Sequence, residues 1–242
     1  MASHFEKLGI IGEGFFNLIF PPLCVFCRRL PEKNQRRFLI CRACLKKYLI
    51  FKTLFCASCG ARLPDNKKNC HQENQYRLGA PAHYSDPIVR RVIQELKYGK
   101  TEAVARALAA LLTAYINELE ITVRDYLIVP VPLHSARLRH RGYNQSELLA
   151  RYLGENIGLG LASGAVKRDR PTKTQTNIKH AEARRENVAG CFIAVRPELI
   201  NGKNIILVDD IATTGATLAE LTRALKQSGA KDIIGLVAAK AR

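Results

Sequence analysis

Apolar positions near the start of the chain follow a helical repeat that ends at Pro21-Pro22. The stripe consists of Leu8, Ile11, Phe15 and Leu18. This spacing predicts a short amphipathic helix within residues 1–23. The helix is too short to span a membrane. Its apolar face therefore either packs on the rest of the protein or lies on a membrane or partner surface.

From residue 76 onward, apolar runs of strand length alternate with helical patterns. We predict strands over residues 78–84, 126–131, 191–195, 204–208 and 232–239. We predict helices that start at Ser85-Asp86-Pro87 and at Thr101, and further helices over 144–157 and 217–228. Residues 163–187 are predicted to form a long polar loop, with room for a helical turn at its end. Strands that alternate with helices indicate an α/β fold with a doubly wound, mostly parallel sheet.

The intervening segment, residues 24–75, has little periodic apolar pattern and is rich in cysteine and basic residues. We expect bound metal, rather than a hydrophobic core, to hold it together. The sequence therefore divides into three parts: an N-terminal amphipathic helix at 1–23, a cysteine module at 24–75 and an α/β domain at 76–242.

The formal net charge of +17 at pH 7 is concentrated in two basic blocks. The cysteine module holds 12 Lys and Arg against 3 Asp and Glu, and residues 134–185 hold 11 against 4. The remainder of the chain is close to neutral. Two blocks of one sign favour a polyanionic partner, and a solvated basic face is the alternative.

Composition and apolar pattern also indicate the compartment. At 47% hydrophobic residues the chain is able to build an ordinary core, and no apolar run approaches the length of a membrane span. The first 20 residues lack the basic region and the small-residue cleavage site of a secretory signal. We predict a cytoplasmic protein, and the amphipathic stripe leaves peripheral attachment at the inner membrane open.

Seven of the eight cysteines lie within residues 24–70, in paired arrangements. The first two Cys-x-x-Cys pairs are Cys24 with Cys27 and Cys41 with Cys44, separated by 13 residues. Four thiolates on two tight turns suit tetrahedral Zn²⁺, as in zinc ribbons. We predict a structural zinc site there. A thioredoxin-like redox role is disfavoured because the pairs lie outside any βαβ pattern.

A second set of ligands is incomplete as a cysteine pattern. Cys56 and Cys59 form a third pair, but only Cys70-His71 follows, with Glu73 where a fourth cysteine is expected. His71 is a candidate fourth ligand, and a vestigial knuckle without metal is the alternative. The eighth cysteine, Cys191, is interpreted as a small buried strand residue.

An acid pair, Asp209 and Asp210, follows the apolar run 204–208 and should lie at the carboxyl end of that strand. Open α/β sheets bind ligands at this edge, and adjacent carboxylates suit the hydroxyls of a vicinal diol. The next residues open a predicted helix, and most of them are small or carry a hydroxyl. They are Ala212, Thr213, Thr214, Gly215, Ala216 and Thr217. Their amides and hydroxyls, with the helix N-terminus, form a candidate phosphate site.

A second anion site is predicted after the apolar run 126–131. Pro132, Leu133 and His134 lead into a cation-rich turn that holds Arg137. Arginine binds phosphate oxygens through two parallel hydrogen bonds, which suits a pyrophosphate. The following Asn144-Gln145 either joins this site or simply caps the next helix.

The run from Ile205 to Thr217 resembles the phosphoribosyl pyrophosphate motif of type I phosphoribosyltransferases. By that resemblance Asp209 and Asp210 hold the ribose hydroxyls, and the loop Ala212–Thr217 holds the 5′-phosphate. The turn after Pro132 resembles the pyrophosphate loop of the same family. The resemblance also implies Mg²⁺ bound between pyrophosphate and ribose oxygens.

The long polar stretch lies where those enzymes carry a flexible loop that closes over pyrophosphate. By that resemblance Arg168 and Arg170 stabilise charge that develops on the leaving group, and with the acid pair they are the candidate catalytic residues. No general base or acceptor pocket is recognisable in the sequence.

A basic double zinc ribbon before a phosphoribosyltransferase domain is similar to the architecture of the ComF (ComFC) competence family. The resemblance covers nearly the whole chain, from the lead-in Leu18–Cys24 to the acid pair. It implies handling of single-stranded DNA in natural transformation, alongside other competence proteins at the inner membrane face. The candidate DNA contacts are Arg36, Arg37, Arg139, Arg141 and Lys173, with Tyr48, Phe51, Phe55 and Tyr76 as either stacking or core residues. The alternative is a metabolic phosphoribosyltransferase that acts on a small nucleophile.

Overall fold

The computed structural model describes residues 21–64, 70–71, 75–99, 102–170 and 181–241. Residues 1–20, which hold most of the predicted amphipathic helix, lie outside these described residues. Glu73, Thr101 and Lys173 also lie outside them.

The described residues form eight strands, six of them in one sheet. The strands are β1 (Phe55–Cys56), β2 (Arg77–Gly79), β3 (Ala82–His83), β4 (Tyr126–Pro130), β5 (Val166–Arg168), β6 (Phe192–Ala194), β7 (Asn204–Ala212) and β8 (Ile233–Lys240). The main sheet has the order β1-β2-β8-β7-β4, with β3 also paired to β8, and β5 pairs only with β6. In the main sheet every pair except β1 with β2 is parallel. The predicted α/β fold with a mostly parallel sheet is confirmed.

Seven α-helices accompany the strands in the described part of the chain. They are α1 (Arg42–Tyr48), α2 (Pro87–Tyr98), α3 (Glu102–Glu118), α4 (Ser135–Arg141), α5 (Gln145–Ile157), α6 (Ala181–Val188) and α7 (Ala216–Gln227). The start of α2 follows the prediction, because the Asp86 carboxylate accepts hydrogen bonds from the amides of Ile88 and Val89. Among the described helices, none has the length and apolar character needed to cross a membrane.

Helices cover both faces of the main sheet. Buried residues of α2, α3 and α5 pack on one face, and residues of α7 and of the β5–β6 pair pack on the other. Along β7, Ile206 and Val208 contact the first core, and Ile205 and Leu207 contact the second. Burial on both faces explains why these strands are continuous apolar runs.

Three predicted boundaries are wrong. The strand predicted over 78–84 is split into β2 and β3, because the Pro81 carbonyl between them accepts hydrogen bonds from the amides of Ile50 and Phe51. The strand predicted over 204–208 continues as β7 to Ala212, since β8 keeps pairing with it that far. The polar loop predicted over 163–187 contains β5, and its end is the helix α6 rather than a single turn.

The expectation that the cysteine module lacks a hydrophobic core is also wrong. Side chains of the module, among them Phe26, Ile40 and Leu54, belong to the same buried cluster as α2, α3 and α5. β1 adds the module to the edge of the main sheet through its pairing with β2. Packing against the α/β part therefore stabilises the module in addition to any bound metal. The division into three parts at residues 23 and 75 remains a prediction.

Candidate functional site

A cavity of about 220 Å³ lies at the carboxyl edge of the main sheet. β4 pairs with β7 only as far as Pro130 opposite Val208, whereas β8 stays paired with β7 up to Ala212. The last residues of β7 are thus open on the β4 side, where the acid pair stands. We call this space the carboxyl-edge cavity. It is lined by Tyr84, Lys97, Tyr98, Val131, Leu133, Arg137, Arg141, Gln145, Arg168, Asp209, Asp210, Ile211, Thr213 and Thr217.

The acid pair is held by groups from two helices. The Ser146 hydroxyl at the start of α5 donates to Asp209 Oδ1 over 2.8 Å, and the Asp210 amide donates to the same oxygen over 2.9 Å. Lys97 Nζ, near the end of α2, lies 3.1 Å from Asp210 Oδ2. Both carboxylates are buried. These contacts fix the carboxylates without a ligand and leave them lining the cavity.

Two opposed effects set the charge of this cluster. Burial raises the pKa of Asp209, the adjacent Asp210 raises it further, and the bond from Ser146 opposes the shift only partly. Burial lowers the pKa of Lys97, but the attraction of Asp210 outweighs it, so the pKa ends above its ordinary value. One ammonium thus faces two carboxylates in a buried space. A cation or a pair of hydroxyl donors would stabilise the ionised acid pair further.

The loop after β7 has the backbone of an anion site. Gly215 stands at the N-cap of α7 with φ of 75°, a left-handed conformation that favours glycine, and it supplies no capping side chain to the helix start. A Cβ at this position would lie 2.9 Å from the Tyr76 hydroxyl. The Ala216 amide donates to Thr214 Oγ1 over 3.4 Å. Thr213 and Thr217 line the cavity directly, at the positive end of the helix dipole.

Three arginines, Arg137, Arg141 and Arg168, also line the cavity, and we call them the arginine wall. The pKa of Arg137 is lowered, first by burial and then by the positive charges of Arg168 and Arg141. Like charges held this close favour an anion between them. The backbone of His134 pairs with that of Arg168, which attaches β5 to this wall.

The cation-rich turn predicted after Pro132 is in fact the short helix α4. His134 is its N-cap, and its Nδ1 accepts a hydrogen bond from the Ala136 amide over 3.2 Å. Asn144 likewise caps α5, since its side chain accepts from the Ser146 amide over 3.1 Å. The capping alternative for Asn144 is therefore confirmed, whereas Gln145 lines the cavity.

The structure brings most, though not all, of the predicted residues together. Leu133, Arg137, Arg168, the acid pair, Thr213 and Thr217 line the cavity, and so does Arg141, which was predicted as a DNA contact. The Arg170 guanidinium instead donates to the Ala189 carbonyl outside the cavity lining. Ala212 ends β7, Ala216 begins α7, and Pro132 and Thr214 lie outside the helices and strands; none of these four lines the cavity.

Sequence reasoning missed the contributions of α2 and of the start of α5. Lys97 and Ser146 contact the acid pair directly, and Tyr84 and Tyr98 line the cavity. The only sequence signal was the polar end of an otherwise amphipathic helix, Lys97-Tyr98-Gly99. That signal does not predict which residue Lys97 contacts, because Lys97 and Asp210 are distant in sequence and come together only in the folded sheet.

The first cysteine set has the geometry of a tetrahedral metal site. The ligand atoms of Cys24, Cys27, Cys41 and Cys44 all lie within 4.8 Å of one another. The Sγ atoms of Cys27 and Cys41 are 3.7 Å apart. With Zn–S bonds of about 2.3 Å, the edge of a tetrahedron is roughly 3.8 Å. Burial and the neighbouring thiols raise the pKa of Cys44, so four thiolates require a cation among them. These residues fit structural zinc.

The second set is complete once His71 is included. Cys56, Cys59, Cys70 and His71 place their ligand atoms within 4.8 Å of one another, with Cys56 Sγ 3.5 Å from His71 Nδ1. Burial tends to raise the pKa of Cys56, but backbone amides of the knuckle and side-chain bonds outweigh it and lower the pKa to about 6. Hydrogen bonds with Cys56 and Cys59 raise the pKa of Cys70 to about 12. The set therefore also fits zinc, with His71 in the fourth position.

The residues considered for DNA binding comprise basic residues and aromatic residues, which differ in exposure. Arg36 and Arg37 lie in a 3₁₀ helix, Lys33–Phe38, and Arg139 is exposed on α4. The four aromatic candidates Tyr48, Phe51, Phe55 and Tyr76 are each at most 5% exposed. Of the two alternatives, these four are core residues and not stacking residues.

Comparisons with known proteins agree with this architecture. A double zinc ribbon domain model matches residues 15–73, and a phosphoribosyl transferase domain model matches residues 138–242. The chain is 31% identical over 228 residues to competence protein F of Haemophilus influenzae, covering 90% of this chain and 95% of that protein. It is 33% identical over 221 residues to the DNA utilization protein YhgH of Escherichia coli, covering 88% and 94%. It is also 31% identical over 112 residues to competence protein ComFC of Bacillus subtilis, covering 44% and 40%.

Proposed function

The chain belongs to the ComF family of competence proteins, and we propose that it handles single-stranded DNA and binds phosphoribosyl pyrophosphate in the carboxyl-edge cavity. Binding of phosphoribosyl pyrophosphate is supported by one observation: two buried carboxylates and the arginine wall line the same cavity. A phosphoribosyl pyrophosphate molecule carries the matching groups, a vicinal diol between two phosphorylated ends.

Each part of the ligand has a partner among the residues described. The acid pair accepts hydrogen bonds from the ribose hydroxyls, and Ser146 keeps Asp209 in position. The loop after β7 receives the 5′-phosphate at the start of α7, where amides and the helix dipole favour negative charge. The arginine wall receives the pyrophosphate, with Arg137, Arg141 and Arg168 as donors.

Carboxylate and phosphate oxygens are the ligands that Mg²⁺ prefers, so the acid pair and the pyrophosphate would hold it. Bound there, the ion would neutralise charge on the pyrophosphate. The contacts of the acid pair with Ser146 and Lys97 hold the carboxylates in place whether or not the ion is bound. Lys97 balances part of the negative charge, and Arg168, which lines the same cavity, would bind a leaving pyrophosphate.

Calorimetric titration tests the ligand site. The double variant Asp209→Asn with Asp210→Asn keeps side-chain shape and removes two negative charges. We expect its affinity for phosphoribosyl pyrophosphate with Mg²⁺ to fall at least about tenfold, equivalent to about 1.4 kcal/mol. A matched control is Glu120→Gln with Asp125→Asn, which removes the same charge from exposed residues. Equal affinity in the double variant and the wild type would remove the site assignment.

The basic blocks support the DNA half of the proposal. The chain has a formal net charge of +17. Arg37 and Arg139 are exposed, and the half-buried Arg36 lies next to Arg37 in the same 3₁₀ helix. Lys and Arg that contact phosphates release counterions from the strand, so affinity should fall as salt rises. Roles at the inner membrane face beside other competence proteins, and a cytoplasmic location, remain predictions.

Fluorescence anisotropy with a labelled oligodeoxynucleotide at several salt concentrations tests this half. Arg36→Gln with Arg37→Gln should reduce the slope of log K against log salt by about 1.4, because each phosphate that these arginines neutralise accounts for about 0.7. The control Lys203→Gln with Lys231→Gln, outside the basic blocks, should leave the slope unchanged. A wild-type affinity that does not change with salt would remove the DNA interpretation.

The same cavity is compatible with a second function, a metabolic phosphoribosyltransferase that acts on a small nucleophile. The observation in its favour is that Arg168 lies on the wall that would receive pyrophosphate. Release of pyrophosphate that requires an added acceptor and is independent of DNA would favour this alternative.

A further inference from the structure

Tyr98 is an exposed aromatic residue in the described part of the chain, whereas the four aromatic residues considered for stacking are buried. Tyr98 is 74% exposed, more than any other large hydrophobic side chain that the structure describes as exposed. It is the last residue of α2 and lines the carboxyl-edge cavity. An exposed aromatic ring keeps apolar surface in water, which contact with another flat apolar surface would remove.

Tyr98 lies near both the arginine wall and the lysine that pairs with the acid pair. The Arg141 guanidinium carbon, on the arginine wall, lies 5.4 Å from the centre of the Tyr98 ring. Lys97, the residue before Tyr98 in the chain, forms the ion pair with Asp210. Tyr84, which is partly buried, lines the same cavity. The ring is therefore exposed and at the same time lines a site whose buried groups suit a sugar and its phosphates.

We propose that Tyr98 is the stacking platform for a nucleobase beside the ribose that the acid pair holds. This inference rests on the proposed function, because the sugar-phosphate site defines where the base would lie. Every nucleobase has a flat π-face, so stacking on tyrosine tolerates all sequences. The Arg141 guanidinium offers a second planar group next to the ring.

The base comes either from a free nucleobase or from an unstacked position in a single-stranded DNA. Both sources present the same flat heterocycle to the ring. In the second case the DNA strand and the sugar-phosphate site share one cavity, which links the two halves of the proposed function.

A single tryptophan reports on this contact, because the natural chain contains none. Tyr98→Trp is titrated separately with oligothymidylate and with adenine, and its fluorescence is recorded. Stacking should quench the fluorescence. Ile193→Trp, at an exposed position of β6, is the control and should be quenched much less. Quenching by the oligonucleotide alone assigns the platform to DNA, and quenching by adenine alone assigns it to a free base.

Binding measurements on two further variants separate stacking from the sugar-phosphate site. Tyr98→Ala should weaken binding of the quenching probe about tenfold, and Tyr98→Phe should bind it like the wild type. A wild type that binds no phosphoribosyl pyrophosphate would contradict the proposed function. Quenching by neither probe, or equal quenching of Ile193→Trp, would overturn the platform alone.

Discussion

The ion pair between Lys97 and Asp210 makes a quantitative prediction about stability. Its Nζ–Oδ2 distance is 3.1 Å, with the two side chains 22% and 4% exposed. At an effective dielectric constant of about 20, charges at this distance attract by about 5 kcal/mol. Replacing Lys97 by Met removes that attraction and leaves a buried carboxylate without its cation, although the desolvation cost of the ammonium is also removed. We expect the free energy of unfolding to fall by about 2–4 kcal/mol.

Urea denaturation at pH 7 followed by circular dichroism measures this loss. With a slope of about 3 kcal/mol per molar urea, the midpoint should fall by about 1 M. The matched control is Lys52→Met, which breaks an ion pair of 2.7 Å with Glu118 whose side chains are 63% and 41% exposed. Exposed pairs contribute about 0–1 kcal/mol, so the control midpoint should move little.

The pH dependence of the difference has a definite sign. Lys97 has its pKa raised above the ordinary 10.5, so its stabilising contribution is complete at neutral pH and is lost as pH rises through the folded-state pKa. The difference between wild type and Lys97→Met should therefore shrink only above about pH 10.5. A neutral-pH shift in Lys97→Met no larger than that in Lys52→Met would refute the reasoning.

Three further predictions concern the acid pair, the second metal set and the core. The raised pKa of Asp209 means that its ionisation costs stability as pH rises from the ordinary 3.8 through the folded-state pKa. Asp209→Asn should therefore be about 1–2 kcal/mol more stable than the wild type in urea unfolding at pH 8, and a lower stability there would contradict this. His71→Ala should lower the zinc content from two ions per chain to about one by atomic absorption, because two ligand sets are present; an unchanged content would exclude His71 as a ligand. A Cβ on Gly79 would lie 3.0 Å from two core carbon atoms, so Gly79→Ala should cost about 1–3 kcal/mol in thermal unfolding. Gly160→Ala, where the nearest contact is 3.4 Å, should cost clearly less, and equal losses would argue against overpacking.

Elements whose signals are local were predictable from the sequence. The capping residue Asp86 and the following proline indicated the start of α2, and the apolar runs indicated β4, β7 and β8. Alternation of strands and helices indicated the parallel sheet. The helix α4 was missed because its seven residues, Ser135–Arg141, bury no side chain and so show no apolar repeat.

Contacts between distant parts of the chain were not predictable in the same way. Lys97 and Ser146 reach the acid pair only because α2 and α5 pack near the carboxyl end of β7. The cysteine module shares its core with the α/β part through residues that show no period in the sequence, such as Phe26 and Leu54. Burial of aromatic residues was likewise undecided until the packing of the module was known.

The central claim is that the carboxyl-edge cavity serves the competence role of the protein. Its most direct test is transformation frequency in a naturally transformable host whose own copy is replaced by this gene. We predict that the allele with Asp209→Asn and Asp210→Asn loses transformation, while the control with Glu120→Gln and Asp125→Asn keeps it at equal protein levels. Wild-type transformation frequency with the first allele would contradict the account.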